Sequence, residues 1–245
     1  MRQGFTDLHT HILPAIDDGA LDLQTALNML QMQRESGVQR VLLTPHFFLQ
    51  RETLESFLQR RQQAYDRLIS QWREDTMPAL RLGAEVRYTS DLVNIDLRAL
   101  TFGDYLLLEL PNSELPAIEQ VLEYMIRQGI TPILAHIERC SYFRSESERL
   151  IRLLEMGVLA QVTARAVVNK TDHNFAKTCL KKGLAHIIAS DLHVPAEEKC
   201  LGNVAQKLDH QMVMRTEEFA QRIWDNECPP SFSVYPLKRG LFRYY

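Results

Sequence analysis

The chain has 245 residues, of which 45% are hydrophobic, and a formal net charge of -3 with a pI near 6.2. Such a composition supports a large core and excludes a disordered chain, and its mild acidity excludes a nucleic-acid binder that works by bulk charge. No run of about 18 apolar residues is present to span a membrane, and the N-terminal MRQGFTDLH lacks the apolar stretch of a signal peptide, so a cytoplasmic home is expected.

The first apolar run, GFTDLH, passes directly into THILPAIDDG, a loop dense in imidazole and carboxylate. A helix predicted to end at Gly37 precedes VQRVLLTPH. The segment ETLESFLQRRQQAYDRLISQW follows, with Leu54, Phe57, Leu58, Tyr65, Leu68, Ile69 and Trp72 at the three-to-four spacing of one helix face. Next come the runs LRLGAEV and YLLLEL, then a helix with Ile118, Val121, Leu122 and Met125 on one face. Three further units each place a glycine, Gly129, Gly157 or Gly183, before an apolar run: ITPILAHIE, VLAQVTA and LAHIIASDLH. Glycine at the end of a helix supplies the left-handed residue that closes it, and the aliphatic runs suit buried parallel strands. Seven strands alternating with helices predict a single α/β domain with a parallel sheet, a barrel or near-barrel, with an open doubly wound sheet as the alternative.

The strand ends hold the chemistry. His9 and His11 end the first run, His46 the second and His136 the fifth. Glu85 lies in LGAEV, Glu109 in YLLLEL, and Asp191 and His193 end the last. In parallel α/β folds the active site lies at the carboxyl ends of the strands. Residues two apart on an extended chain share a face, which pairs His9 with His11 and Asp191 with His193. Each residue alone has an ordinary explanation: a hydrogen-bonded histidine, a glutamate paired with arginine, an Asp17-Asp18-Gly19 turn. Together they predict a multinuclear metal site. Imidazoles and carboxylates without thiolate suit Mn, Fe, Zn or Mg rather than a cysteine-rich structural zinc, and nine ligands are too many for one ion. Cys140, Cys179, Cys200 and Cys228 form no CxxC pair and are expected to be reduced, mostly packed thiols. None is followed six positions later by arginine, so the Cys-x5-Arg loop of cysteine-based phosphatases is missing.

The ordered set DLHTH…DDG, TPH, GAEV, AHIER and ASDLH resembles the polymerase-and-histidinol-phosphatase (PHP) superfamily, and within it the capsule-type protein-tyrosine phosphatases of bacteria. The likeness runs from residue 7 to about residue 193. It implies a distorted seven-stranded TIM-like barrel, (β/α)7, across a single domain of residues 1–245. It also implies two or three divalent ions, often manganese. By that resemblance one ion takes His9, His11, Glu85 and Asp191; a second shares Glu85 and adds Glu109 and His136; a third takes Asp18, His46 and His193. Asp7 or Asp17 would then orient ligands from behind. The implied activity is hydrolysis of phosphotyrosine on proteins by a metal-activated hydroxide, with Asp191 and Arg139 at the reacting centre. Arg139 is suited to a phosphoryl group by its two-pronged donor geometry. The implied partner is a bacterial tyrosine autokinase that controls exopolysaccharide assembly. A small-molecule phosphatase such as a histidinol-phosphate hydrolase shares every ligand, and a weakly active metal-bound regulatory module is the reading from another class.

The chain departs from the family pattern at three places. Ile137 and Cys140 replace a proline and an aromatic residue, TARAV replaces a stretch like NAxS, and Glu198 stands where an arginine is common, with Lys199 and Arg165 as substitutes nearby. The tail from residue 229 to 245, rich in aromatics and bases, is expected to pack on the outside or to dock a partner or a second subunit.

Overall fold

The computed structural model describes residues 4–112, 115–168 and 173–230. Most of the tail singled out above, residues 231–245, lies outside them. Nine strands are found among the described residues: β1 (Phe5–Thr10), β2 (Val38–Leu43), β3 (His46–Phe47), β4 (Ala79–Leu82), β5 (Glu85–Arg87), β6 (Tyr105–Glu109), β7 (Thr131–Leu134), β8 (Leu159–Thr163) and β9 (Ile187–Ala189). The helices between and after them are α1 (Leu23–Glu35), α2 (Leu54–Ile69), α3 (Ile118–Arg127), α4 (Ser141–Ser145), α5 (Ser147–Glu155), α6 (Ala164–Val168), α7 (His173–Lys182), α8 (Leu201–Ala205) and α9 (His210–Trp224).

The expected count of seven strands becomes nine because two of the seven segments are broken. VLLTPHF splits at Thr44–Pro45, and LRLGAEV splits at Gly83–Ala84. Pro45 has no N–H for a sheet ladder, and Gly83 sits where an added Cβ would lie 3.3 Å from Phe102 and 3.4 Å from Leu42. The backbone still bonds across both breaks, Gly83 N–H to Leu43 C=O at 2.9 Å and Glu85 N–H to Pro45 C=O at 3.0 Å. The strands form two parallel sheets, ordered β1-β2-β4 and β3-β5-β6-β7-β8-β9. A parallel bridge between Thr10 and Leu192 joins the end of β1 to the segment after β9.

Side chains alternate between two apolar clusters, as the two-residue period of a strand requires. Leu106, Leu108, Leu134, Ala160, Val162 and Ile188 face the helices in the larger cluster. Leu42, Leu107, Ile133, Leu159 and Ile187 form the smaller one with Phe219, Ala220, Ile223 and Trp224 of α9. The end of α9 is fastened where β6 begins. Asn226 Oδ1 accepts from Asp104 N–H at 2.7 Å, and the Tyr105 hydroxyl donates to Glu227 C=O at 2.6 Å. This helix therefore closes the amino ends of the strands and leaves the carboxyl ends for the site.

The helix faces read from the sequence are the buried ones. Phe57 and Leu68 of α2 are fully buried, as are Ile118, Val121, Leu122 and Met125 of α3. Gly37, Gly129, Gly157 and Gly183 all take the expected left-handed backbone, with φ between 70° and 101°. Cys140, Cys179 and Cys200 are buried free thiols and Cys228 is exposed. No helix among the described residues is long and apolar enough to cross a membrane.

Candidate metal centre

All nine expected ligands meet at the carboxyl ends of the strands. β1 and the residue after it carry His9 and His11, the following loop Asp18, β3 His46, β5 Glu85 and β6 Glu109. His136 follows β7, and Asp191 and His193 follow β9. The Nε2 atoms of His9 and His11 lie 3.1 Å apart. Glu85 Oε2 is 3.2 Å from each of them and 3.0 Å from His46 Nδ1. Asp191 Oδ1 stands 3.3 Å from His9 Nε2 and 3.5 Å from His11 Nε2. His136 Nε2 is 2.8 Å from Glu85 Oε1, and Asp18 Oδ1 faces His46 at 3.4 Å and His193 at 3.6 Å.

Three overlapping groups have the spacing of ligand sets: His9, His11 and Asp191; His46, Glu85 and Glu109; and His11, Asp18, His46 and His193. The grouping differs from the family-implied one in placing His46 beside Glu85 and Glu109. Glu109 also pairs with Arg87 at 2.8 Å and lies 3.8 Å from His136, so it divides its charge between an arginine and the cluster.

The donor set fits divalent ions. Atoms that share one ion at about 2.0–2.2 Å lie about 3.0–3.5 Å from each other, which is the spacing of His9, His11, Glu85 and Asp191. Apart from the ion-pair contacts above, buried Glu85 Oε2, Glu109 Oε2, Asp191 Oδ1, His46 Nδ1 and His136 Nδ1 make no hydrogen bond among the described residues. Buried carboxylate oxygens and ring nitrogens without hydrogen bonds cost free energy unless a cation or proton compensates. Burial opposes ionisation of Glu85, but His9, His11, His136 and His46 outweigh it and hold the carboxyl well below its usual range. Asp191 is likewise lowered against its burial, by His9, His11 and Arg139. Two members of the cluster, His136 (φ 31°) and Asp191 (φ 54°), adopt left-handed backbone uncommon for such residues, the kind of strain that gathers at functional sites.

Supporting residues fix the cluster's side chains from behind. Asp17 accepts from His11 Nδ1 at 2.8 Å and from the N–H groups of Gly19 and His46, each at 3.0 Å. This holds His11 in the tautomer that turns Nε2 to the cluster. Asp7, fully buried, accepts from Ser190 N–H at 3.0 Å and from Gln33 Nε2 at 2.7 Å, latching the Asp191 segment to β1. The sequence reading missed Gln161. Its Oε1 accepts from His136 N–H at 2.8 Å and lies 3.3 Å from His9 Nδ1, joining two segments of the cluster. The signal was present: a glutamine in the wholly buried run LAQVT needs polar partners. Buried Glu138 was missed too; its Oε1 accepts from the N–H and hydroxyl of Thr163 at 3.1 and 2.7 Å.

Arg139 donates to the Asp191 carboxylate and keeps an exposed side chain at the mouth of the cluster. Glu198 is exposed in a different cleft, beside Glu35 and Glu197. Burial pushes the Cys140 thiol up to about 11 and the Cys200 thiol up to about 12. Neither is the low-pKa thiolate that nucleophilic catalysis needs.

Fold and site together define an α/β protein of parallel sheets with a clustered imidazole–carboxylate centre at its strand ends. Residues 5–221 match the family described as capsular polysaccharide synthesis, CpsB/CapC. The tyrosine-protein phosphatase YwqE of Bacillus subtilis (strain 168) is 29% identical over 197 residues, 76% of each chain. The tyrosine-protein phosphatase CpsB of Streptococcus pneumoniae is 29% identical over 206 residues, 76% of this chain and 82% of its own. A crystal structure from work on YwqE and CpsB, described as unique metal-dependent tyrosine phosphatases, superposes with a TM-score of 0.81 at 24% identity, over 96% of this chain and 100% of that one. This chain belongs to the CpsB/CapC family.

Proposed function

We propose that this protein is a metal-dependent phosphomonoesterase that hydrolyses phosphotyrosine on proteins, with a bacterial tyrosine autokinase of exopolysaccharide assembly as its partner. The observation that carries the reading is the convergence of His9, His11, Asp18, His46, Glu85, Glu109, His136, Asp191 and His193 at one end of the sheets, in a chain whose family includes tyrosine phosphatases. These residues would hold two or three divalent ions, manganese first among them. In our reading the two sheets are the distorted seven-segment barrel of the resemblance; the backbone bonds across both breaks and the Thr10–Leu192 bridge support it.

When bound, such ions acidify water and offset the charge that builds on a phosphoryl group. The chain's own residues do the rest. Asp17 and Gln161 hold His11, His9 and His136 in orientation, and Asp7 keeps the Asp191 segment against β1. Arg139, tethered by Asp191, offers its remaining N–H groups to the phosphoryl oxygens. A phenolate leaving group needs less protonation than an alkoxide, which suits a site where carboxylates are ionised. Purified protein supplied with manganese should release phosphate from a phosphotyrosine peptide, lose that activity to a chelator and keep it under thiol alkylation. Loss of turnover on alkylation with indifference to chelation would overturn the proposal.

A further inference from the structure

The ligand cluster opens onto a cleft of about 700 Å³ whose walls include Asp18, His46, Phe48, Arg51, Glu52 and Arg60. Local chain geometry builds one wall. Phe47 is buried in the core, and Phe48, two residues past the ligand His46, returns to the histidine's side with ring centroids 5.3 Å apart. The Phe48 carbonyl accepts from the N–H groups of Arg51 at 2.9 Å and Glu52 at 3.3 Å, a turn that folds Arg51 back over the ring at 4.2 Å. Most charges in the cleft are already committed. Arg60 bonds both oxygens of Glu52 and the carbonyl of Ile16. Asp17 holds His11, and Asp18 faces His46 and His193. Arg51 is exposed and forms no ion pair among the described residues.

We propose that Phe48 and Arg51 determine specificity by receiving the peptide side of the substrate. The phenol ring of phosphotyrosine packs on the Phe48–Arg51 stack, and the Arg51 guanidinium pairs with an acidic residue flanking the phosphotyrosine. The inference rests on the phosphatase reading above. Two features favour this occupant. Aromatic pairs are stable at centroid separations of about 4.5–7 Å, and a half-buried phenyl ring beside a ligand histidine lies within that reach of an aryl ester whose phosphoryl group is at the cluster. A guanidinium stacked on a ring presents its N–H edge outward and suits a carboxylate. A short alkyl phosphate would gain nothing from either.

The test compares wild type with Phe48→Ala and Arg51→Glu on two phosphotyrosine peptides, one flanked by Asp and Glu, the other by Lys. Steady-state kinetics are paired with fluorescence anisotropy on the same peptides carrying non-hydrolysable phosphonomethyl-phenylalanine. Phe48→Ala should lower kcat/KM on both peptides by about tenfold, chiefly through KM, and weaken phosphonate binding alike. Arg51→Glu should reverse the preference of wild type for the acidic peptide. Because Arg51 is exposed, this variant tests the inference even where Phe48→Ala folds poorly. Unchanged peptide ranking in Arg51→Glu, together with unchanged affinity in every folded Phe48 variant, would overturn the assignment while leaving the phosphatase reading intact. A wild type inert to both peptides but active on another phosphomonoester would overturn that reading and this inference with it.

Discussion

His9 and His11 direct Nε2 atoms at each other across 3.1 Å, with two carboxylate oxygens at 3.2–3.5 Å. Two Nε2 atoms facing this way hold at most one proton between them, so a cation seated among them and the carboxylate oxygens satisfies the arrangement. Gln161 is the residue whose loss should show this, because its carbonyl serves His9 and His136 at once. Gln161→Leu should weaken divalent-metal binding by roughly 10–100-fold, the usual effect of removing a partner behind a ligand. Equilibrium dialysis with elemental analysis reads this directly. Arg139→Ala should raise KM for phosphotyrosine peptide while leaving bound metal unchanged; a fall in metal content would make it a strut for Asp191 instead. That these nine residues would converge was legible in the sequence because metal-capable residues at strand ends have few other reasons to recur. Gln161 and Glu138 were not, because their partners are backbone and side-chain groups 25 or 152 residues away in sequence, brought close only by folding.

Among the elements, the glycine-terminated helices followed from one local rule, and all four glycines obey it. Gly157 isolates that rule. An added Cβ there meets nothing within 4 Å, yet its φ is 95°. Gly157→Ala should therefore cost about 1–2 kcal/mol through backbone conformation alone, measurable as a lowered urea midpoint with unaltered activity. Helix α9 holds a pH-dependent element. Glu217 accepts from Thr6 N–H at 3.1 Å, and its burial pushes its carboxyl up to about 7, against 4.5 in an unfolded chain. The folded state thus binds the extra proton between those values, and stability falls as pH rises through that window. Glu217→Gln should be close to neutral near pH 5 and stabilising by roughly 3 kcal/mol at pH 8, seen by urea denaturation at the two values. An equal effect at both would contradict the assignment. The broken strands were less legible. TPH and LGAE read as continuous runs by hydrophobicity, and only the missing N–H of Pro45 and the close packing at Gly83 interrupt them.

For the whole molecule, the division of labour is between the two ends of the sheets. Phe219, Ile223 and Trp224 of α9 pack against the strands' inner apolar residues at one end, while the other gathers ionised carboxylates and imidazoles that no hydrogen-bond network fully satisfies. A cation that binds only the folded chain stabilises it by mass action, so chelation should lower the melting temperature as well as abolish turnover, and manganese should restore both. The most direct measurement is anomalous diffraction from crystals grown with manganese, scaled against elemental analysis of the same protein. Peaks are expected within bonding distance of His9 Nε2, His11 Nε2, Glu85 and Asp191, with more than one ion per chain. Ordered water alone between those side chains, in protein that cleaves phosphotyrosine after exhaustive chelation, would contradict that expectation.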